Sequence, residues 1–166
     1  MSEQSSIITE LTELEGLYGT VARPSVAKET DHIHPAYRPF IAASPFVALA
    51  TSGPEGLDVS PRGDPAGFIE IEDDKTLLLP DRRGNNRIDS LRNILHDNRV
   101  ALLFLIPGIG ETLRVNGTAA ISTDPALLER FAINNQLPKT VLRITVESVF
   151  FQCSRAIIRS GLWDAE

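Results

Sequence analysis

Residues 46–61 read FVALATSGPEGLDVSP, which is an apolar run and a second strand-like run on either side of a turn signal. The glycines and the proline between residues 52 and 56 favour a turn, since they supply backbone angles that end a strand. Further strand-like segments follow at 68–72, 76–79, 100–106, 112–122 and 141–152. Several of them connect without a helix between, which predicts an antiparallel barrel or sandwich rather than a parallel doubly wound sheet. Gly117 lies inside the segment 112–122 and predicts a bulge or bend there.

Apolar residues at helical spacing predict helices at the start of the chain and between the strands. The predicted helices span 7–18, a short stretch from Pro35 toward residue 43, 88–96, and a segment opened by Asp124 and Pro125. The tail from residue 153 fits helix and coil equally well. These elements give about six or seven strands and three or four helices in one mainly β domain. We expect residues 1–34 to form an N-terminal helix and connector, and residues 35–166 to form the barrel domain.

Composition excludes several classes of protein. The 166 residues carry a net charge of −6 and a sequence pI near 5.1, which argues against a general nucleic-acid binder. No apolar run reaches the roughly 18–20 residues that a membrane span needs. The N-terminus lacks the basic-then-apolar order of a signal peptide, so a cytoplasmic location is expected. Cys153 is the single cysteine and therefore has no intrachain disulfide partner.

The stretch most informative about chemistry is 80–92, which reads PDRRGNNRIDSLR. Four arginines fall within the eleven residues 82–92 of an otherwise acidic chain, between a predicted strand and a predicted helix. Free N–H groups at a helix start favour anions, and arginine binds phosphate through paired charged hydrogen bonds. This pattern is typical of a phosphate pocket, and a solvated basic turn that caps the helix is the alternative. Ser60 and Arg62 are two residues apart at the end of the predicted strand 57–61. Because every second side chain of a strand points the same way, both can face one side of the sheet.

Two familiar nucleotide motifs are missing, because neither a P-loop nor a dinucleotide fingerprint occurs in the chain. His32 and His34 form a pair in a polar connector, and no further ligand at a sensible distance completes a metal site. No metal is therefore predicted. No dedicated catalytic acid or base can be named from the sequence.

Several short segments, in their order, resemble a subgroup of the flavin-binding split-barrel proteins related to pyridoxamine phosphate oxidase. The resemblance runs from about residue 34 to residue 163. Its segments are HPAYRPFI (34–41), FVALAT (46–51), SPRGD (60–64), LLPDR (78–82), NR (86–87), SLRNI (90–94), LFLIPG (103–108), ETLRVNG (111–117) and RSGLW (159–163).

The resemblance implies a six-stranded antiparallel split barrel that works as a homodimer, with two FMN sites between the subunits. It implies that the strand end at Leu79, Pro80 and Asp81 lies along the flavin ring. The loop 82–87, with Arg82, Asn86 and Arg87, would hold the phosphate together with Arg62. Ser60, which can face the same side as Arg62, is a further candidate for cofactor binding. Glu111, Arg114 and Trp163 are candidates to complete the partner's site.

The chain departs from the oxidase pattern at the phosphate loop. The oxidases of this family carry a Ser-Arg-Lys step where this chain reads Asn85-Asn86-Arg87. No clear match exists for the residues that hold pyridoxal phosphate. The hypothesis is therefore an FMN-dependent oxidoreductase that acts on a small molecule through hydride transfer at flavin N5. A non-enzymatic flavin carrier or sensor, and the same barrel with haem or a deazaflavin, are the alternatives.

Overall fold

The computed structural model describes residues 6–20 and 28–164. Seven strands in these residues form one sheet in which every neighbouring pair is antiparallel. The strands are β1 (Phe46–Gly53), β2 (Gly56–Gly63), β3 (Glu70–Ile71), β4 (Thr76–Pro80), β5 (Asp97–Leu105), β6 (Thr112–Ser122) and β7 (Val141–Gln152). Their order across the sheet is β2-β1-β5-β6-β7-β4-β3.

Five helices occur in the described part of the chain. They are α1 (Leu11–Tyr18), α2 (Arg38–Ala43), α3 (Asp89–His96), α4 (Pro125–Arg130) and α5 (Arg155–Ser160). The side chain of Asp124 accepts a hydrogen bond from Ala126 N at 2.9 Å and caps α4, as the Asp-Pro pair predicts. None of the helices in residues 6–20 and 28–164 is long and apolar enough to cross a membrane.

The predicted mainly β, antiparallel class is confirmed, with differences in detail. The sheet has seven strands and is not closed, where a six-stranded barrel was expected, because the segment 68–72 contributes a two-residue strand at the edge. The first helix begins at Leu11 rather than at residue 7. The tail forms α5. Of the predicted connector, residues 21–27 lie outside the described residues, and Thr30 pairs with Val149 of β7.

Alternation along the strands gives the sheet one closely packed face. On β1, Val47 and Leu49 are fully buried, while Ala48 and Ala50 on the opposite face are half-buried. The same alternation on β5, β6 and β7 builds one main core of aliphatic side chains around Phe104. Burial of that apolar surface at about 25 cal/mol per Å² is the main source of the fold's stability.

Helix α3 lies over β1 and β5 and positions the loop that precedes it. Ile94 is buried in the main core. Asn93 Nδ2 donates to Thr51 Oγ1 at 3.0 Å, which ties the helix to β1. These contacts hold the N-terminal end of α3 beside β2.

Gly117 occupies the predicted bulge, where the β6–β7 register shifts between Asn116 and Gly117. A Cβ built at Gly117 would lie 2.0 Å from the carbonyl oxygen of Thr145. That neighbour is backbone and cannot move aside alone, so the two strands must separate to admit a methyl group.

We expect Gly117→Ala to lower the free energy of unfolding by about 2–3 kcal/mol, the range of overpacking in a rigid site. Gly16→Ala in α1 is the matched control, since no described atom lies within 4 Å of the position that its new methyl group would take. That control should leave stability unchanged or raise it slightly, because alanine favours helix. Urea denaturation of both variants measures the difference, and equal midpoints would contradict the crowding argument.

Candidate functional site

A cleft of about 1380 Å³ opens between three parts of the chain. One wall is β2 with the chain just after it, and the second is the end of β4 with the loop into α3. The third is the segment 131–140 between α4 and β7. The lining residues are Asp58, Ser60 to Gly63, Phe68, Pro80 to Leu91, and Gln136 to Thr140. The cleft therefore combines a charged entrance with the apolar side chains of Phe68, Pro80 and Leu91.

Arg62 provides a cation in the cleft that is fixed by hydroxyl groups rather than by an acid. Its Nη1 donates to Ser60 Oγ at 2.8 Å and to the carbonyl oxygen of Pro61 at 3.0 Å. Ser60 Oγ in turn lies 2.9 Å from Ser90 Oγ, and Ser90 is buried in the first turn of α3. No carboxylate lies within ion-pair distance of Arg62 in the described part of the chain. The guanidinium is thus oriented and available to an anion.

The loop into α3 has an unusual backbone. Asn86 and Ile88 adopt positive φ angles of 61° and 52°, and Ile88 immediately precedes the helix. A β-branched residue rarely adopts this conformation, and such outliers concentrate at ligand sites. Ile88 stands at the N-cap position of α3, and its apolar side chain cannot accept a hydrogen bond. The backbone N–H groups in the first turn of α3 therefore have no capping side chain at this position.

Arg82 joins two of the three walls. Its Nε donates to Asp64 Oδ2 at 2.6 Å, and its Nη1 donates to the carbonyl oxygen of Phe131 at 2.5 Å. Both partners of the ion pair are largely buried, with 28% of the Arg82 side chain and 16% of the Asp64 side chain exposed. Arg82 therefore links the chain after β2 to the segment 131–140.

Asp81 is a half-buried acid in the same cleft. Burial raises the pKa of its carboxyl group, and the nearby charges of Arg62 and Lys139 oppose that rise. The backbone N–H of Asp81 donates to the carbonyl oxygen of Thr140 at 2.9 Å. Lys139 itself reaches across to the loop, where its Nζ lies 3.4 Å from Asn86 Oδ1.

The structure brings together most, but not all, of the residues predicted to hold a cofactor. Arg87 lines the cleft and is largely exposed, with its Nε donating to Asp89 Oδ2 at 2.8 Å. Leu79 faces the main core and is 1% exposed. The predicted residues that line the cleft are Ser60, Arg62, Pro80, Asp81, Arg82, Asn86 and Arg87.

Glu111, Arg114 and Trp163 do not line this cleft. The Arg114 guanidinium lies 3.8 Å from the centre of the Phe150 ring, and its Nε is buried without a hydrogen bond in the described residues. Trp163 Nε1 donates to the carbonyl oxygen of Ile109 at 2.7 Å and fastens the chain after α5. Their assignment to a partner's site stays a prediction.

Sequence reasoning missed the whole third wall, including Gln136, Lys139 and Thr140. Nothing in the local pattern of 131–140 signals a site, because its residues meet the loop 82–88 only through the tertiary fold. Ser90 was visible within the motif, but its contact with Ser60 was not. In residues 6–20 and 28–164, no group of three or more His, Cys, Asp or Glu side chains could hold a metal ion.

Known structures share this architecture. HupZ from Group A Streptococcus is 25% identical, with a TM-score of 0.58 over 74% of this chain and 95% of that one. An FMN-binding protein from Syntrophomonas wolfei is 13% identical, with a TM-score of 0.52 over 84% of this chain and 92% of that one. An F420 reductase is 21% identical, with a TM-score of 0.51 over 72% of this chain and 98% of that one. No curated protein matches the chain.

The sequence also matches a family model directly. The family described as "Pyridoxamine 5'-phosphate oxidase" matches residues 33–153, which is more than half of the chain and includes all seven strands and the three walls of the cleft. The chain therefore belongs to the pyridoxamine 5'-phosphate oxidase family.

Proposed function

We propose that the chain is an FMN-binding flavoprotein that oxidises or reduces a small molecule. The observation that carries this proposal is Arg62, which has no acidic partner among the described residues and which Ser60 and Ser90 orient inside a cleft next to the start of α3. A preorganised guanidinium beside free helix N–H groups is suited to a phosphate monoester.

The rest of the cleft fits the remaining parts of FMN. Phe68, Pro80 and Leu91 give it apolar surface on which a flat ring system can be buried. Asn86 offers a side-chain amide at the polar entrance, and Gly84 has open space around it. When bound, FMN supplies hydride transfer at its N5 atom.

The protein's own contribution is to bind, orient and shield. Arg62, with the hydroxyl groups of Ser60 and Ser90, would hold the phosphate. Arg82 links the chain after β2 to the segment 131–140 through its bonds to Asp64 and Phe131, and would help to hold the cleft in shape around the ring. Arg87, paired with Asp89 at the exposed rim, would add a weaker contact, because exposed ion pairs contribute little.

We further propose that a second copy of the chain covers the outer face of the sheet. Two rows of neighbouring residues run across β2, β1, β5 and β6 on this face. The first row is Pro61, Ala48, Leu103 and Arg114. The second row is Val59, Ala50, Ala101 and Asn116. Val59 is 65% exposed, and small alanines in the centre leave the surface flat. A largely apolar face of this kind, with polar residues at its β6 side, is typical of an isologous interface. Glu111, Arg114 and Trp163 would then approach the partner's cleft.

Replacement of Arg62 tests the phosphate position. We expect Arg62→Gln to weaken FMN binding by about tenfold to more than a hundredfold, since one charged hydrogen-bonding group contributes roughly 1.5–3 kcal/mol. Fluorescence titration of FMN measures the effect. Arg99→Gln makes the same change in net charge at a residue that pairs with Asp97 and lies outside the cleft, so it should bind FMN normally.

Replacement of Arg82 by glutamine tests whether this residue stabilises the fold through its internal bonds or binds the cofactor directly. It removes the ion pair with Asp64 and the bond to Phe131, so we expect the free energy of unfolding to fall by about 1–3 kcal/mol even without FMN. Arg62→Gln should not lower the free energy of unfolding comparably.

If neither substitution changes FMN affinity, the phosphate lies elsewhere. If the natural chain takes up no FMN at all, the flavin proposal fails, and haem and deazaflavin are the next ligands to test by absorption spectrum.

Asp81→Asn tests the electrostatics of the cleft. At neutral pH the ionised carboxylate repels the FMN phosphate, so the variant should bind FMN severalfold more tightly. The advantage should shrink as pH falls through the raised pKa of Asp81, because the natural carboxyl group is then neutral as well. Titrations from mildly acidic to neutral pH check the sign. A variant that binds more weakly at neutral pH would show that Asp81 contacts FMN favourably.

Ala101→Arg tests the outer face. A long charged side chain at the centre of an apolar interface prevents close packing, so we expect the natural dimer to become monomeric in analytical ultracentrifugation. Ala126→Arg on the exposed surface of α4 is the matched control and should leave the mass unchanged. A natural chain that is already monomeric at high concentration would overturn the dimer proposal.

A further inference from the structure

Helix α1 has an apolar side that nothing in its own chain covers. None of its eight residues is buried. Leu11, Leu14, Leu17 and Tyr18 recur at helical spacing and so share one side of the helix. Their side chains are between 41% and 82% exposed. An isolated helix of this length is marginal in water, so α1 needs a surface that covers this side.

The charges on α1 narrow the kind of surface that can cover it. Glu13 and Glu15 lie on either side of the apolar stripe, and the helix contains no lysine or arginine. Neither carboxylate has an ion pair within the described residues. A membrane surface attracts basic segments rather than acidic ones. The helix therefore fits an apolar protein surface that carries an unpaired cation.

The outer face of the sheet offers an apolar surface of suitable width. Strands β2 and β6 lie three strand spacings apart, which is about 14 Å at roughly 4.8 Å per spacing. Between them the outer face carries the half-buried Ala48, Ala50 and Ala101, with the larger Leu103 beside them. A helix with its side chains is about 10 Å across, so these small residues leave a shallow surface on which one helix can lie.

Arg114 supplies the unpaired cation at the edge of this surface. Its guanidinium stacks on Phe150, and its Nε is buried with no hydrogen-bond acceptor in the described part of the chain. Arg99 and Arg143 on the neighbouring strands are paired with carboxylates, whereas Arg114 is not, among the same residues. A buried donor without an acceptor destabilises the chain that holds it, so a carboxylate from outside would satisfy Arg114.

We infer that the element of the second copy that covers the outer face is its helix α1. The apolar side of α1 packs on the alanines, and a carboxylate of α1 meets Arg114. A two-fold axis makes this contact reciprocal, so both helices and both outer faces are covered at once. The inference rests on the proposed interface at the outer face, and it is independent of FMN binding.

Crosslinking between different chains tests the contact directly. Each chain carries Cys153→Ser, because the natural cysteine is exposed. A chain with Leu14→Cys is mixed with a chain with Ala101→Cys and oxidised, and mass spectrometry identifies the linked pair of cysteines. We expect a disulfide between positions 14 and 101 of different chains. Ala126→Cys on the exposed surface of α4 replaces Ala101→Cys as the control and should give no link to position 14.

The strength of the dimer gives a second measurement. Leu14→Asp places a charge on the apolar side of α1, and Thr12→Asp places the same charge on its opposite side. Both positions are exposed within the chain, so neither change disturbs the fold of one protomer. We expect Leu14→Asp to raise the dimer dissociation constant at least about tenfold, because a buried leucine is lost. Thr12→Asp should leave it unchanged in sedimentation equilibrium.

Two outcomes overturn the inference. A Leu14→Asp dimer as tight as the natural one shows that the interface forms without α1. A chain with both Leu14→Cys and Ala101→Cys that links only within itself, while the mixture gives no link, shows that α1 covers its own sheet. Failure of the proposed interface is recognised separately, because the natural chain would then sediment as a monomer.

Discussion

The cleft depends on one guanidinium group that joins parts of the chain far apart in sequence. Arg82 lies just after β4. Its guanidinium donates both to the carboxylate of Asp64, which follows β2, and to the carbonyl oxygen of Phe131, which follows α4. A planar group with donors on several edges can make both contacts without moving, which a lysine could not do. Because the contact is partly buried, water competes with it weakly, and the guanidinium ties these parts of the chain together.

The arginines around the cleft differ in their partners. Arg82 is bound internally, Arg87 pairs with Asp89 at the surface, and Arg62 on β2 has no carboxylate within ion-pair distance in the described residues. A cluster of basic residues in sequence therefore does not act as one cluster in space. The charge that an anion meets is determined by which guanidinium groups have no carboxylate nearby.

The sheet itself explains why the site lies where it does. The main core buries one face of the sheet. Helix α3 packs on β1 and β5 and brings Ser90 into contact with Ser60 of β2. The opposite face is built from half-buried alanines and leucines, with Arg114 stacked on Phe150. One face thus stabilises the chain, and the other is only partly buried within it.

The sequence alone determined the antiparallel class and most element positions, since alternation and turn residues act locally. The strands 112–122 and 141–152, the bulge at Gly117 and the Asp124 cap were all predicted from neighbouring residues. The basic loop between a strand and a helix was equally visible. Local pattern could not show that the segment 68–72 would pair over two residues, because strand pairing depends on the partner β4.

Only the tertiary structure decided how the charged residues of the cleft are paired. Local pattern gives a residue's type and its face, but not the carboxylate or carbonyl that meets it across the fold. Arg82 meets Asp64 and Phe131, and Lys139 meets Asn86, over separations of 18 to 53 residues along the chain. Such pairings depend on how the strands fold back on one another, and for that reason Lys139 stayed invisible in the sequence.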